Sequence, residues 1–156
     1  MLKSLVFMPN TPTVLVVDDS TDGREMLAEY LTFRGFQVRT AAHGAEAIEI
    51  AHRIRPAVVL MDLSMPGTDG WEATRQLKGD QLTTDIVVLA LTAHAFPAEH
   101  ESARAAGCDA IITKPYDLAV LAGTLESIIR DGRGALDARR SERTKTGSRS
   151  SKVRPS

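Results

Sequence analysis

Four apolar, β-branched runs constrain this chain more than anything else in it: Val14-Leu15-Val16-Val17, Ala57-Val58-Val59-Leu60-Met61, Ile86-Val87-Val88-Leu89-Ala90-Leu91 and Ala110-Ile111-Ile112-Thr113. Runs of this kind, separated by helical patterns, read as parallel strands buried on both faces. With Phe36 to Thr40 as a further strand, strict strand-helix alternation predicts an α/β fold, a doubly wound (βα)5 sandwich with right-handed crossovers around a five-stranded parallel sheet. In an open parallel sheet, ligands bind in the crevice beyond the carboxyl ends of the strands. The four runs end there on polar residues: Asp18-Asp19, Asp62, Thr92 and Lys114.

The helices follow from caps and spacing. Ser20 or Thr21 can cap a first helix with Met26, Leu27, Tyr30 and Leu31 facing inward, ending near Gly35. A second runs from about Gly44 to Ile54, with Ala47, Ile48 and Ala51 inward and Pro56 closing it. The third, from about Gly70 to Lys78, has the weakest pattern. Pro97 suits the first turn of a fourth, and Gly107 suits the residue past its end. In the fifth, Leu118, Leu121, Leu125 and Ile128 stand three and four apart, so one face is apolar.

The 156 residues fit one domain, read as a leader over 1–12, a folded domain over 13–130 and a tail over 131–156. Net charge near zero conceals an asymmetry: the tail holds eight Lys/Arg against three Asp/Glu, and the rest eleven against seventeen. The tail has almost no large apolar residues, so it is expected to be disordered. A solvated extension is its preferred reading, and attachment to nucleic acid, acidic lipid or an acidic partner is the alternative. It is too short and polar for a folded DNA-binding domain. One cysteine, Cys108, excludes an internal disulfide and suits the cytoplasm. No apolar run approaches the roughly 20 residues of a membrane span.

The site chemistry follows from residue types. Three carboxylates in one crevice, Asp18, Asp19 and Asp62, are costly without a cation. All candidate ligands are oxygens, which favours Mg²⁺, or Mn²⁺, over zinc. Mg²⁺ keeps waters and accepts phosphate oxygens, while Lys114 and Thr92 suit a phosphoryl group's equatorial oxygens. Asp62 then serves as nucleophile, and its product is an aspartyl phosphate.

Taken in order, VLVVDDS (14 to 20), VVLMDLSMPGTDG (58 to 70), VLALTA (88 to 93) and AGCDAIITKP (106 to 115) resemble the response-regulator receiver domain of two-component systems. The likeness is to the chemotaxis-regulator, flavodoxin-like type and covers roughly residues 12 to 130. It implies that Asp62 receives a phosphoryl group from a histidine kinase or histidine phosphotransfer protein. It further implies that Asp19, Asp62 and the backbone carbonyl of Ser64 hold Mg²⁺, with Asp18 assisting directly or through water. Thr92 and Lys114 would contact the phosphoryl group. A cis peptide at Lys114-Pro115 and a downstream protein target on the face of the fourth helix, fifth strand and fifth helix are also implied. The implied role is a signalling phosphoacceptor that assists only its own phosphorylation and dephosphorylation, not an enzyme in the ordinary sense. Self-association as a homodimer stays open.

Three positions bear on how far that pattern carries over. The family commonly carries Tyr or Phe three residues before the lysine, where this chain has Ile111, read as a packed strand residue. Ser64 and His94 occupy positions that influence loss of the phosphate; His94 orients water, meets a partner or simply faces solvent. Trp71 and Cys108 read as packing residues, Pro66, Gly67 and Gly70 as turn residues, and His43, His52 and His100 as surface residues. Asp85 and Asp109 read as strand-flanking polar residues. Two other functions compete with the stand-alone regulator. One is a phosphatase or phosphotransferase with an aspartyl intermediate, which a missing acid/base partner disfavours. The other is a phosphate-independent interaction domain, which retention of the full site disfavours.

Overall fold

The computed structural model describes residues 12–64, 69–93 and 96–136. Five strands alternate with five helices there: β1 (Thr13–Val17), α1 (Thr21–Phe33), β2 (Gln37–Ala41), α2 (Gly44–Ile54), β3 (Val58–Asp62), α3 (Asp69–Gly79), β4 (Val87–Thr92), α4 (Pro97–Ala106), β5 (Ala110–Thr113) and α5 (Leu118–Asp131). The sheet is parallel throughout, in the order β2-β1-β3-β4-β5. Its register levels the carboxyl ends: Val17 lies opposite Ala41 and Met61, Asp62 opposite Leu91, and Thr92 opposite Thr113.

Because successive strand side chains point to opposite faces, the runs feed two cores. Val14, Val16, Val58, Leu60, Leu89 and Leu91 meet Leu27 and Leu31 of α1 and Leu121, Leu125 and Ile128 of α5. Leu15, Val17, Val59, Met61 and Val88 meet Ala47, Ile50 and Ala51 of α2 and Ala73 and Leu77 of α3. The central strands β3 and β4 are buried along their whole length, as their uninterrupted apolar character requires. By contrast, α4 joins neither core. Its buried residues are two alanines, Ala103 and Ala106, beside a half-buried His100 whose Nε2 has no partner among the described residues.

Several expectations are corrected. The β5 run is half-buried, because β5 is the last strand in the sheet and lacks a neighbour on its outer side. Strand β2 is the other edge and lies one residue later than expected. Met26 is 54% exposed; α1 buries only Leu27 and Leu31, one turn apart. Of the inward set in α2, Ala47 and Ala51 are buried, Ile48 is half-buried, and Ile50 takes the remaining core position. Ser20 is the α1 cap, its hydroxyl accepting from Gly23 N at 3.3 Å.

The fold also continues past residue 130. After α5, Ala135 is buried and Leu136 packs against the α1/α5 core. Arg133 Nε lies 2.9 Å from Asp109 Oδ1, while Asp109 Oδ2 accepts from Lys78 Nζ at 2.7 Å and from Val88 N at 2.8 Å. Asp109 thus gathers α3, β4 and the chain after α5 at the amino edge of the sheet. The leader over 1–11, Pro66, Gly67, His94 and the tail from 137 onward lie outside the described residues.

A second clasp joins α2 to the loop after α3. His52 donates from Nδ1 to the Ile48 carbonyl and from Nε2 to Asp80 Oδ2, each at 2.8 Å. Two acceptors on one ring favour the imidazolium. The bond to Asp80 holds the His52 pKa above its ordinary value, and the bond from His52 holds that of Asp80 below its own.

Two outcomes follow. Asp109→Ala leaves Lys78 and Val88 N without their carboxylate, so urea denaturation is expected to show a loss of about 3 kcal/mol. Arg133→Ala, at a half-exposed pair, is expected to cost under about 1 kcal/mol; equal losses would contradict the ranking. The His52 contribution is complete below the ordinary histidine pKa and above the ordinary aspartate value, and is lost as pH rises through the raised His52 value. His52→Gln is therefore expected to flatten the fall in urea midpoint as pH rises above about 6.5, and an unchanged profile would exclude that role.

Candidate functional site

The strand ends bring Asp62 and Lys114 into contact and set Asp18 beside them. Asp62, the last residue of β3, is only 3% exposed. Its Oδ2 accepts from Lys114 Nζ at 2.8 Å and its Oδ1 from Ser64 N at 2.7 Å. Lys114 follows β5 and is fixed by its own N–H, which donates to the Thr92 carbonyl at 2.7 Å. Lys114-Pro115 is a cis peptide. Thr92, at the end of β4, is 4% exposed, and its hydroxyl reaches Glu99 Oε2 on α4 at 3.5 Å.

Asp18 stands at the end of β1, held by its surroundings. Its N–H donates to the Ala41 carbonyl at 3.1 Å, its Oδ1 accepts from Ser20 N at 2.9 Å, and its carbonyl accepts from Arg24 Nη1 at 2.8 Å. Burial pushes the Asp18 carboxyl above its ordinary pKa, and the charge of Asp62 adds to the shift against the opposing effects of the Ser20 bond and Lys114. The same two carboxylates, after burial, help to raise the Tyr116 phenol. Asp19 is exposed.

Among the described residues no three acidic, His or Cys side chains close around a metal position. The donors nevertheless fit a hard cation that retains its waters, since such an ion needs only one or two carboxylates. The neighbouring carboxylates of Asp18 and Asp62 supply that demand. Residues that sequence reasoning passed over also shape the site. Asp69 Oδ2 accepts from Gly44 N, tying the start of α3 to the first turn of α2. A side chain at Gly44 would meet the Asp69 carbonyl at 2.9 Å, so that contact requires glycine. Arg24 and Glu99 gave no motif signal, because each acts through one backbone or side-chain contact. Burial pushes the Cys108 thiol up to about 11, which disfavours its reactive thiolate.

A family model for the response regulator receiver domain matches residues 14–126. The chain belongs to this family. The polar-differentiation response regulator DivK of Brucella anthropi is 31% identical over 119 residues, covering 76% of this chain and 97% of that protein. The chemotaxis protein CheY4 of Vibrio cholerae superposes with a TM-score of 0.69 at 31% identity, over 74% of this chain and 97% of that one. A receiver domain of a signal transduction histidine kinase from Syntrophus aciditrophicus gives 0.70 at 31%, over 76% and 90%. The sheet order found here is that of the family's flavodoxin-like fold. Receiver domains are signalling phosphoacceptors of two-component systems rather than conventional enzymes, typically use Mg²⁺ at the phosphorylation site, and interact with histidine kinases and downstream targets. Among the described residues no helix is long and apolar enough to cross a membrane.

A carboxyl with a raised folded-state pKa favours the native state only while protonated, so this contribution falls as pH rises past the ordinary aspartate value. Asp18→Asn keeps an acceptor for Ser20 N and removes the charge. Thermal unfolding at neutral pH is expected to show a higher metal-free midpoint for the variant and a smaller gain on adding Mg²⁺. A variant that gains as much from Mg²⁺ as the wild type would remove Asp18 from the metal set.

Proposed function

We propose that Asp62 is the phosphoacceptor of this receiver domain. The observation that carries this reading is the nearly buried Asp62 carboxylate at a strand end, paired with Lys114 Nζ at 2.8 Å. An Asp62 oxygen attacks the phosphorus of a phosphohistidine on a kinase or phosphotransfer protein, the P–N bond breaks, and the imidazole leaves with its electron pair. Lys114 transfers its contact from the Asp62 carboxylate to an equatorial phosphoryl oxygen, and the Thr92 hydroxyl donates to another. Asp18, Asp19, Asp62 and the carbonyl of Ser64 would hold Mg²⁺, which would supply charge neutralisation for the phosphoryl oxygens. The same groups assist attack by water when the phosphate is lost.

Output runs through Thr92. Its contact with Glu99 links the site to the first turn of α4, so drawing Thr92 inward changes what holds that helix. The face of α4, β5 and α5 carries Phe96 and Val120, 65% and 62% exposed, and is the proposed surface for a downstream protein. With Ile111 half-buried in β5, this route replaces an inward-swinging aromatic. The proposed setting is the cytoplasm.

Intact mass spectrometry after incubation with acetyl phosphate or a histidine kinase tests the assignment. One phosphoryl group is expected on the wild type only with Mg²⁺, and none on Asp62→Asn. Labelling of the variant to the wild-type extent would place the acceptor elsewhere.

A further inference from the structure

A glycine in the first turn of α1 breaks a local rule without an evident local reason. Gly23 is the third helical residue after the Ser20 cap, with a backbone conformation open to any residue. Alanine there would lower the conformational cost of the helix. Local propensity therefore argues against glycine, and such a conflict points to another constraint.

The constraint is the Asp18 carboxylate. A β-carbon built on Gly23 would lie 2.8 Å from Asp18 Oδ2 and 3.7 Å from its Cγ, inside van der Waals contact for the oxygen. Asp18 has little freedom to yield. Its backbone is pinned at both the N–H and the carbonyl, and its Oδ1 is committed to Ser20 N. Rotating the carboxylate away from a new methyl group would break the Ser20 bond or alter its approach to Asp62.

We propose that Gly23 is a positioning residue of the cation site: the missing side chain is what lets the Asp18 carboxylate settle against α1 in a ligating orientation. This rests on the reading of Asp18 as a ligand for a divalent cation. The chain accepts a weaker α1 in exchange for a carboxylate in the right place. A purely structural role for Gly23 predicts that stability and metal affinity change together. Positioning predicts that metal affinity falls while the metal-free melting temperature holds or rises.

Gly123, mid-way along α5, is the matched control, since nothing lies within 4 Å of a β-carbon built there. Wild type, Gly23→Ala, Gly123→Ala and Asp18→Asn are compared by thermal unfolding in EDTA and by calorimetric titration with Mg²⁺. The expected result for Gly23→Ala is an equal or higher melting temperature with a Mg²⁺ dissociation constant raised about tenfold, the scale of disturbing a ligand's support. Gly123→Ala is expected to keep wild-type Mg²⁺ affinity. Wild-type affinity in Gly23→Ala, with Asp18→Asn weakened, would overturn the positioning role and leave the metal site standing. Wild-type affinity in Asp18→Asn would overturn the ligand assignment and this inference with it.

Discussion

Asp62 is a carboxylate nearly removed from water at the end of a sheet, and the arrangement around it follows from giving both its oxygens a partner there. An isolated buried carboxylate would take up a proton and lose its nucleophilicity. Lys114 and the Ser64 N–H occupy its two oxygens. Both partners are delivered by backbone geometry: Ser64 by the turn directly after β3, and Lys114 by a strand whose last N–H bonds are made to β4. Deleting Lys114 would therefore leave Asp62 Oδ2 without its partner. On the proposed reading of Asp62 as acceptor, this 2.8 Å pair would have to be broken for the product to form.

Parallel pairing explains why so few residues suffice. All five strands point the same way in level register, so each strand end projects into one crevice with no loop of its own to build. Precision comes from the sheet ladder and from short local contacts. Asp18 is located by three bonds to its own neighbourhood, and Asp69 fixes α3 against α2. The two cores beneath are apolar through β1, β3 and β4, which gives these end positions a rigid base.

Much of this was legible in the sequence, for reasons that differ from element to element. The strand runs and the polar residue ending each one gave the sheet and brought Asp18, Asp62, Thr92 and Lys114 to one edge. Period alone could not distinguish an edge strand from a central one, so β5 was read as more buried than it is. Met26 satisfied the helical spacing of α1 but lies beyond the narrow strip that the sheet covers. Asp109 carried no local signal, since its partners Lys78 and Arg133 come from distant parts of the chain. The same holds for His52 with Asp80 and for Gly23, whose meaning depends on a carboxylate five residues earlier folding back on it. Residues acting through sequence order were readable, and residues acting through space were not.

The anchoring of α4 has its own consequence. Two alanine methyls hold this helix where other helices present leucine and isoleucine, and a buried imidazole nitrogen beside them has no partner among the described residues. Little apolar area opposes its displacement, so on the proposed route through Thr92 a modest change there would be enough to shift its population. Sensitivity of this kind carries noise. On the proposed mechanism, a lever so lightly loaded would visit its displaced position before any phosphoryl group arrived, and the resting output would become a matter of side-chain volume under one helix rather than of chemistry at Asp62.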